Sequence, residues 1–244
     1  SVDGLTGELG LPPANPDAGK EEGDISQLDI ENTLRFNNEL SLVTLSASDL
    51  KAILESGVSG VDPGATPGAF PQIGGMAFTY DPDKPAGERV TDAVIKDAAG
   101  IVTDVVVKNG LIYGDPERPI RIVTLNFLAS GGDGYPFDSL AEDRVDLPEV
   151  LTEDGEVTFA DPGTEQDALA EYLVELFAET PFGMAETPAR FDRRIQNTNE
   201  RWVGGNSVTM TPVGTYETNS FDEGASEIVD YDPVSQRIYV VNSD

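Results

Sequence analysis

Residues 125–135 read Leu125-Asn126-Phe127-Leu128-Ala129-Ser130-Gly131-Gly132-Asp133-Gly134-Tyr135, and the reading of the whole chain turns on them. Ile120 to Phe127 is an apolar, β-rich run, predicted as a strand that ends on an aromatic ring. Three glycines then fall within four residues (Gly131, Gly132 and Gly134). No regular element tolerates that composition, and it lets the backbone take positive φ and approach a ligand closely. Asp133 sits among the glycines with its carboxylate free to accept hydrogen bonds. A ring face beside a carboxylate in a Gly-rich loop suits a nucleoside, with the base on Phe127 and the ribose hydroxyls donating to Asp133. The same residues also fit a tight strand-to-loop turn with Phe127 in the core.

Upstream, Ser26 is placed to cap a short helix carrying Leu28, Ile30 and Leu34, with Asp29 at its third position. Leu40 to Leu45 is predicted as a strand. Ser46-Ala47-Ser48-Asp49 opens a helix through Leu50, Ile53 and Leu54 that Gly57 ends. Residues 59–69 are a Gly/Pro loop. Gly75–Tyr80, Val90–Ile95 and Val102–Val107 are further strands, and Asn109-Gly110 turns the chain into Leu111-Ile112-Tyr113. The fold class expected is α+β, a mixed β-sheet core with packed helices and a β-rich tail.

Downstream, residues 138–163 read as irregular and acidic. Thr164 caps a helix whose Ala168, Leu169, Tyr172, Leu173, Leu176 and Phe177 form one apolar stripe, expected to dock on the sheet before Pro181 stops the helix. Arg190, Arg193, Arg194 and Arg201 form the one basic cluster and are expected to pair with the acidic surface. After Gly204-Gly205 the chain changes to short β-runs, with a hairpin from Asp230-Tyr231-Asp232-Pro233 into Arg237–Val241. A hairpin alone is marginal in water, so it is expected to belong to a larger β domain or to dock on a neighbour. The expected division is a first domain over residues 1–205 and a second, β-rich one from 206 to 244.

The chain carries 45 acidic and 15 basic residues, a net charge of −30. Such a charge repels nucleic-acid phosphates and anionic lipid, and it favours solubility in a saline or extracellular setting. There is no cysteine and no histidine among the 244 residues. Disulfides, thiolate or imidazole metal sites and histidine acid–base chemistry are therefore excluded within this chain. No stretch is long and apolar enough to span a membrane as a helix. The first residues, Ser1-Val2-Asp3-Gly4, lack the basic start and apolar run of a signal peptide.

Four stretches together carry a family resemblance. They are Gly23-Asp24-Ile25 with Leu34-Arg35-Phe36-Asn37-Asn38, then Leu45 to Leu54, then Gly68-Ala69-Phe70-Pro71-Gln72-Ile73-Gly74-Gly75 with Tyr80-Asp81-Pro82, and finally Asn126 to Tyr135. In this order and spacing, residues 23–137 resemble the C-terminal, substrate-specificity domain of bacterial and animal 5′-nucleotidases. The helix at 165–178 and Arg194-Ile195-Gln196 resemble the closing segment of that domain. The resemblance implies that Phe36 and Phe127 stack on opposite faces of a base and that Asp133 takes the ribose hydroxyls. Asn126, Gly131, Gly132 and Gly134 belong to the same substrate-binding motif. It further implies a secreted, periplasmic or cell-surface bacterial parent that hydrolyses phosphate esters.

Two departures qualify what is carried over. The family's Asn-Gly-Gly-Gly-Ile-Arg motif does not occur in residues 1–22, so the chain is expected to begin inside the domain. The family's two-metal centre is built from Asp, Asn and His in a separate N-terminal metallophosphoesterase domain, and a chain without histidine does not contain it. No catalytic residue is therefore expected here, and the divalent metals are expected in that other domain. The tail, from Val213-Gly214-Thr215-Tyr216 through Phe221–Val229 to Tyr239-Val240-Val241-Asn242, resembles the opening of a β-propeller-type domain of large bacterial surface and secreted proteins. A second reading is a structural or adhesion module of a surface layer or filament, self-assembling and without nucleotide binding. Asp81-Pro82-Asp83 and Asp222-Glu223 offer the oxygen ligands that Ca²⁺ takes, but match no complete calcium motif.

Overall fold

The computed structural model describes residues 12–62, 65, 67–151, 158–179 and 193–199, together with the backbone of 228–232 and 237–241. The chain divides into two compact units, Ser1–Arg201 and Trp202–Asp244. In the first, the elements in order are α1 (Gln27–Thr33), β1 (Leu40–Ser46), α2 (Ala47–Gly57), β2 (Met76–Tyr80), β3 (Val90–Lys96), β4 (Val102–Lys108), β5 (Leu111–Ile112) and β6 (Pro119–Leu125). There follow two short helices, α3 (Asn126–Ala129) and α4 (Phe137–Leu140), then β7 (Glu142–Asp146), α5 (Leu147–Val150), α6 (Glu165–Phe177) and β8 (Ile195–Asn197).

Two sheets result. β6-β1-β7 is antiparallel, and β5-β4-β3-β2-β8 is mixed, because β8 joins β2 in parallel with Phe78 opposite Ile195. Phe78 N–H donates to the Arg194 carbonyl at 2.7 Å, and Thr198 N–H donates to the Tyr80 carbonyl at 2.9 Å. Helix α2 contacts strands of both sheets. Its Leu50, Ile53 and Leu54 enter one core with Val43, Leu45, Phe78, Val90, Val106 and Val107. The capping box expected at Ser46 is present: Ser46 Oγ accepts from Asp49 N–H, and the Asp49 carboxylate accepts from Ser46. The box at Ser26 and Asp29 starts α1 in the same way. Lys20 adds an ion pair to Asp29, and with the Ser26 bonds it pulls that carboxyl down to about 2.

Buried charge closes the C-terminal end of α2. Glu55 accepts the N–H groups of Arg89 and Val90 at 2.8 and 2.9 Å and pairs with Lys51 at 3.1 Å. The Arg89 guanidinium donates to the carbonyls of Val58, Ser59, Val61 and Lys84. Val58, Ser59 and Val61 follow directly on the end of α2, where carbonyls lack intrahelical donors.

Three expectations are corrected. The strand entering the Gly-rich loop ends at Leu125 rather than Phe127, because Asn126 N–H turns to the Glu39 carbonyl and residues 126–129 close a helical turn. Residues 138–163 are not wholly irregular. Glu142-Asp143-Arg144-Val145-Asp146 lacks apolar alternation yet forms β7, held by pairing to β1 and by the buried Ser41 hydroxyl donating to Asp146. Arg144, and then Ser41, hold the Asp146 carboxyl below its usual value. Helix α6 begins at Thr164 as expected, but its apolar stripe does not dock on the sheet. Tyr172 and Leu176 are exposed while Gln166, Asp167 and Ala170 are buried, and the helix packs on α1. Its polar N-terminus sets that placement: Gln166 donates to the Leu34 carbonyl, Glu165 binds the Asn38 N–H, and Asp167 takes Thr158 and the Gly163 N–H. Helix α6 ends at Phe177; Pro181, expected to stop it, lies outside the described residues, as do Arg190 and Arg201.

In the second unit, β9 (Ile228–Asp232) and β10 (Arg237–Val241) pair antiparallel, with Asp232 opposite Arg237. Among the described residues no third strand joins this hairpin. The remainder of the tail that resembles a propeller opening lies outside the described residues.

Candidate functional site

The register of β1 and β6 decides what meets at the Gly-rich loop. Leu40 lies opposite Leu125, so the chain entering β1 and the chain leaving β6 share one end of the strand pair. Asn126 extends the contact: its N–H donates to the Glu39 carbonyl at 2.8 Å and its side-chain amide donates to the Glu39 carboxylate at 3.1 Å. Asn126 therefore braces the two segments against each other.

Phe36 follows α1 in a turn closed by Asn37 N–H on the Leu34 carbonyl, with Asn37 at φ 45°. Its side chain is 84% exposed, and that of Phe127 on α3 is 49% exposed. Neither is a core aromatic. The alternative that put Phe127 in the core is corrected: once β6 ends at Leu125, the helical turn carries Ala129 inward and leaves the Phe127 ring half in solvent.

The loop itself is built from left-handed backbone. Gly131, Asp133 and Gly134 have φ of 86°, 54° and 78°. Asp is among the few residues with a side chain that visit this region readily. Gly132 is required for another reason, since a Cβ there would lie 2.5 Å from Cε1 of Phe127. Asp133 is exposed, and its carboxylate accepts no hydrogen bond from the described residues. Tyr135, next but one, is buried. Its hydroxyl donates to the Ala69 carbonyl at 2.7 Å, and its ring lies 5.9 Å from that of Phe137. Burial, and secondarily the charge of Asp133, pushes its phenol up to about 12. Tyr135 and Glu39 are the participants that sequence reasoning missed. Tyr135 stands in the quoted stretch, but nothing local announces its partner 66 residues away.

Phe127 and the open carboxylate of Asp133 thus stand where the chain leaves β6, and the exposed Phe36 lies on the segment that leads into β1, at the end where Leu40 faces Leu125. Rings of this kind can stack on a flat heterocycle, and a free carboxylate can accept two vicinal hydroxyls. Among the described residues no group of three or more acidic side chains could hold a metal ion. Asp81 accepts the Asp83 N–H at 3.0 Å, and Asp83 accepts from the side chain of Asn199, which follows β8, at 3.0 Å; Asp222 and Glu223 lie outside the described residues. Among the described residues no helix is long and apolar enough to cross a membrane.

The fold is a two-sheet α+β domain with a Gly-Asp loop at one sheet end, and comparison with known proteins gives it a family. Residues 11–141 match the family described as 5′-nucleotidase, C-terminal domain, and the chain belongs to it. It is 34% identical over 140 residues to the trifunctional nucleotide phosphoesterase protein YfkN of Bacillus subtilis (strain 168), covering 56% of this chain and 9% of that protein. Against the 5′-nucleotidase of Homo sapiens it is 29% identical over 117 residues, covering 48% and 19% of the two chains. The crystal structure of the 5′-nucleotidase precursor from Thermus thermophilus superposes with a TM-score of 0.52 at 28% identity, covering 74% of this chain and 29% of that one. The chain therefore spans less than a fifth of the length of these two curated relatives.

Proposed function

We propose that this chain is the nucleotide-recognition part of a larger 5′-nucleotidase-type phosphoesterase. A base would stack between Phe36 and Phe127, and Asp133 would accept the ribose hydroxyls. What supports this reading is that Phe36 precedes β1 and Phe127 and Asp133 follow β6, at the end of the strand pair where Leu40 faces Leu125, with both rings and the carboxylate exposed. Each stacked contact would contribute about 1–3 kcal/mol, by analogy with single-strand recognition.

Hydrolysis would fall to a two-metal centre in a separate metallophosphoesterase domain, where the metals polarise the phosphate and generate hydroxide. This chain has no histidine, so any imidazole ligand of those metals would come from that other domain. The acidic surface and the family suit a secreted, periplasmic or cell-surface parent. We assign residues 1–205 to the recognition domain and 206–244 to the start of a second, propeller-like β domain, a reading that would give the β9–β10 hairpin its missing neighbours.

Calorimetric titration of the chain with adenosine tests the proposal. Binding that is lost in Phe127→Ala supports it. Absence of binding, also in a version extended upstream through the Asn-Gly-Gly-Gly-Ile-Arg segment, would remove it and favour the structural-module reading.

A further inference from the structure

Two consecutive residues of the last turn of α2 grip two consecutive residues of the Gly-rich loop. Ser56 Oγ donates to the Gly134 carbonyl at 3.3 Å. Gly57 stands against Tyr135, where a Cβ would lie 2.6 Å from the phenol oxygen and 3.0 Å from Cδ of Pro71. Gly57 is not in the left-handed region, so backbone conformation does not require glycine there. Space does: the missing side chain is what lets the phenol pass the helix and donate to Ala69. Three segments distant in sequence, the end of α2, the 67–71 loop and the Gly134-Tyr135 step, thus meet at one phenol.

A loop with three left-handed residues in four has much conformational freedom to lose. A binding carboxylate on such a loop gains affinity when the loop is held in its bound form beforehand. Asp133 has no bonds of its own to described residues, so its position must be set by what anchors its neighbours. We propose that Tyr135 is a positioning residue, holding the Asp133 loop through its bond to Ala69 so that the carboxylate meets the ribose of a bound nucleoside. The inference rests on the reading that Asp133 accepts ribose hydroxyls.

The test uses Tyr135→Phe, which keeps the ring and removes the bond, with two readouts. Amide hydrogen exchange at residues 131–135 should rise about tenfold while exchange in β3 and β4 stays unchanged. The preference for adenosine over 2′,3′-dideoxyadenosine should fall about tenfold, with dideoxyadenosine affinity unchanged. A role in packing alone would weaken both ligands together. Ser56→Ala, a milder change, should shift both readouts in the same direction and serves if Tyr135→Phe fails to fold. Unchanged exchange, or an unchanged preference in a chain that binds adenosine, overturns the inference. If the wild-type chain binds neither compound, the nucleoside reading and the ribose role of Tyr135 fall together, and the exchange data still decide whether the phenol holds the loop.

Discussion

Gly132 and Phe127 touch so closely that no methyl group fits between them, since a Cβ on residue 132 would sit 2.5–2.6 Å from three ring carbons. Phe127 cannot keep its present rotamer over any residue but glycine at that position. Gly132→Ala should therefore tilt the ring away from its exposed pose and weaken adenosine binding by about tenfold, the loss of one stacking contact. Thermal melting should stay within a few degrees of wild type, because the ring is half in solvent. Calorimetry and melting together check this. Wild-type affinity in the variant would mean that Phe127 does not stack.

Phe36 offers the cleanest separation of binding from stability. At 84% exposure it packs against little, so Phe36→Ala should change unfolding free energy by less than about 0.5 kcal/mol. Adenosine affinity should fall by about 1–3 kcal/mol. A double-mutant cycle with Phe127→Ala should show coupling if both rings hold one base, and additive losses if they do not.

Glu55 is the opposite case. Its carboxylate serves two backbone N–H groups and Lys51 in the buried junction of α2 with β3. Glu55→Ala leaves those backbone donors unpaired and Lys51 without its partner, at a cost of about 3 kcal/mol. Lys51→Ala, at the rim, should cost below about 1 kcal/mol. Urea unfolding of the two variants distinguishes them, and equal losses would mean that the ion pair, not the backbone donors, is what matters.

Tyr135 predicts an alkaline effect. Its phenol ionises at about 12 in the fold against an ordinary value of 10.0, because burial disfavours the phenolate. The folded form thus holds its proton more tightly than the unfolded form, and stability is lost as pH rises from about 10 towards 12. Ultraviolet titration should show a tyrosine component near 12 that Tyr135→Phe removes, and the same variant should flatten the alkaline loss of stability. A titration curve that Tyr135→Phe leaves unchanged near 12 would contradict the burial described here.

Much of the fold was legible where local chemistry and tertiary demand agree. The capping boxes at Ser26 and Ser46 and the β-rich run of Leu40 to Leu45 are written in short stretches of sequence, though not that Ser41 faces the core while Leu42 does not. Strand β7 was not, because Glu142-Asp143-Arg144-Val145-Asp146 has no β pattern of its own and is a strand only by virtue of β1 beside it. The stripe on α6 misled for a related reason. Periodicity reports an apolar face, but the bonds from Glu165, Gln166 and Asp167 fix which side of the helix meets the domain. At the candidate site, Phe127 and Asp133 announced themselves through the Gly-rich run. Phe36 came only with the family resemblance, and the bracing by Glu39 and Ala69 depends on strand register and on a loop far along the chain.

The parallel rung between Phe78 and Ile195 sets a practical boundary for anyone trimming this protein. A recombinant piece ending near residue 141, where the family match stops, would strip β8 from β2 and bare the flank of the five-stranded sheet. Bared flanks recruit strands from other molecules, so such a piece should precipitate or form filaments instead of yielding a usable binding module. Carrying the sequence through residue 199 keeps that seam shut.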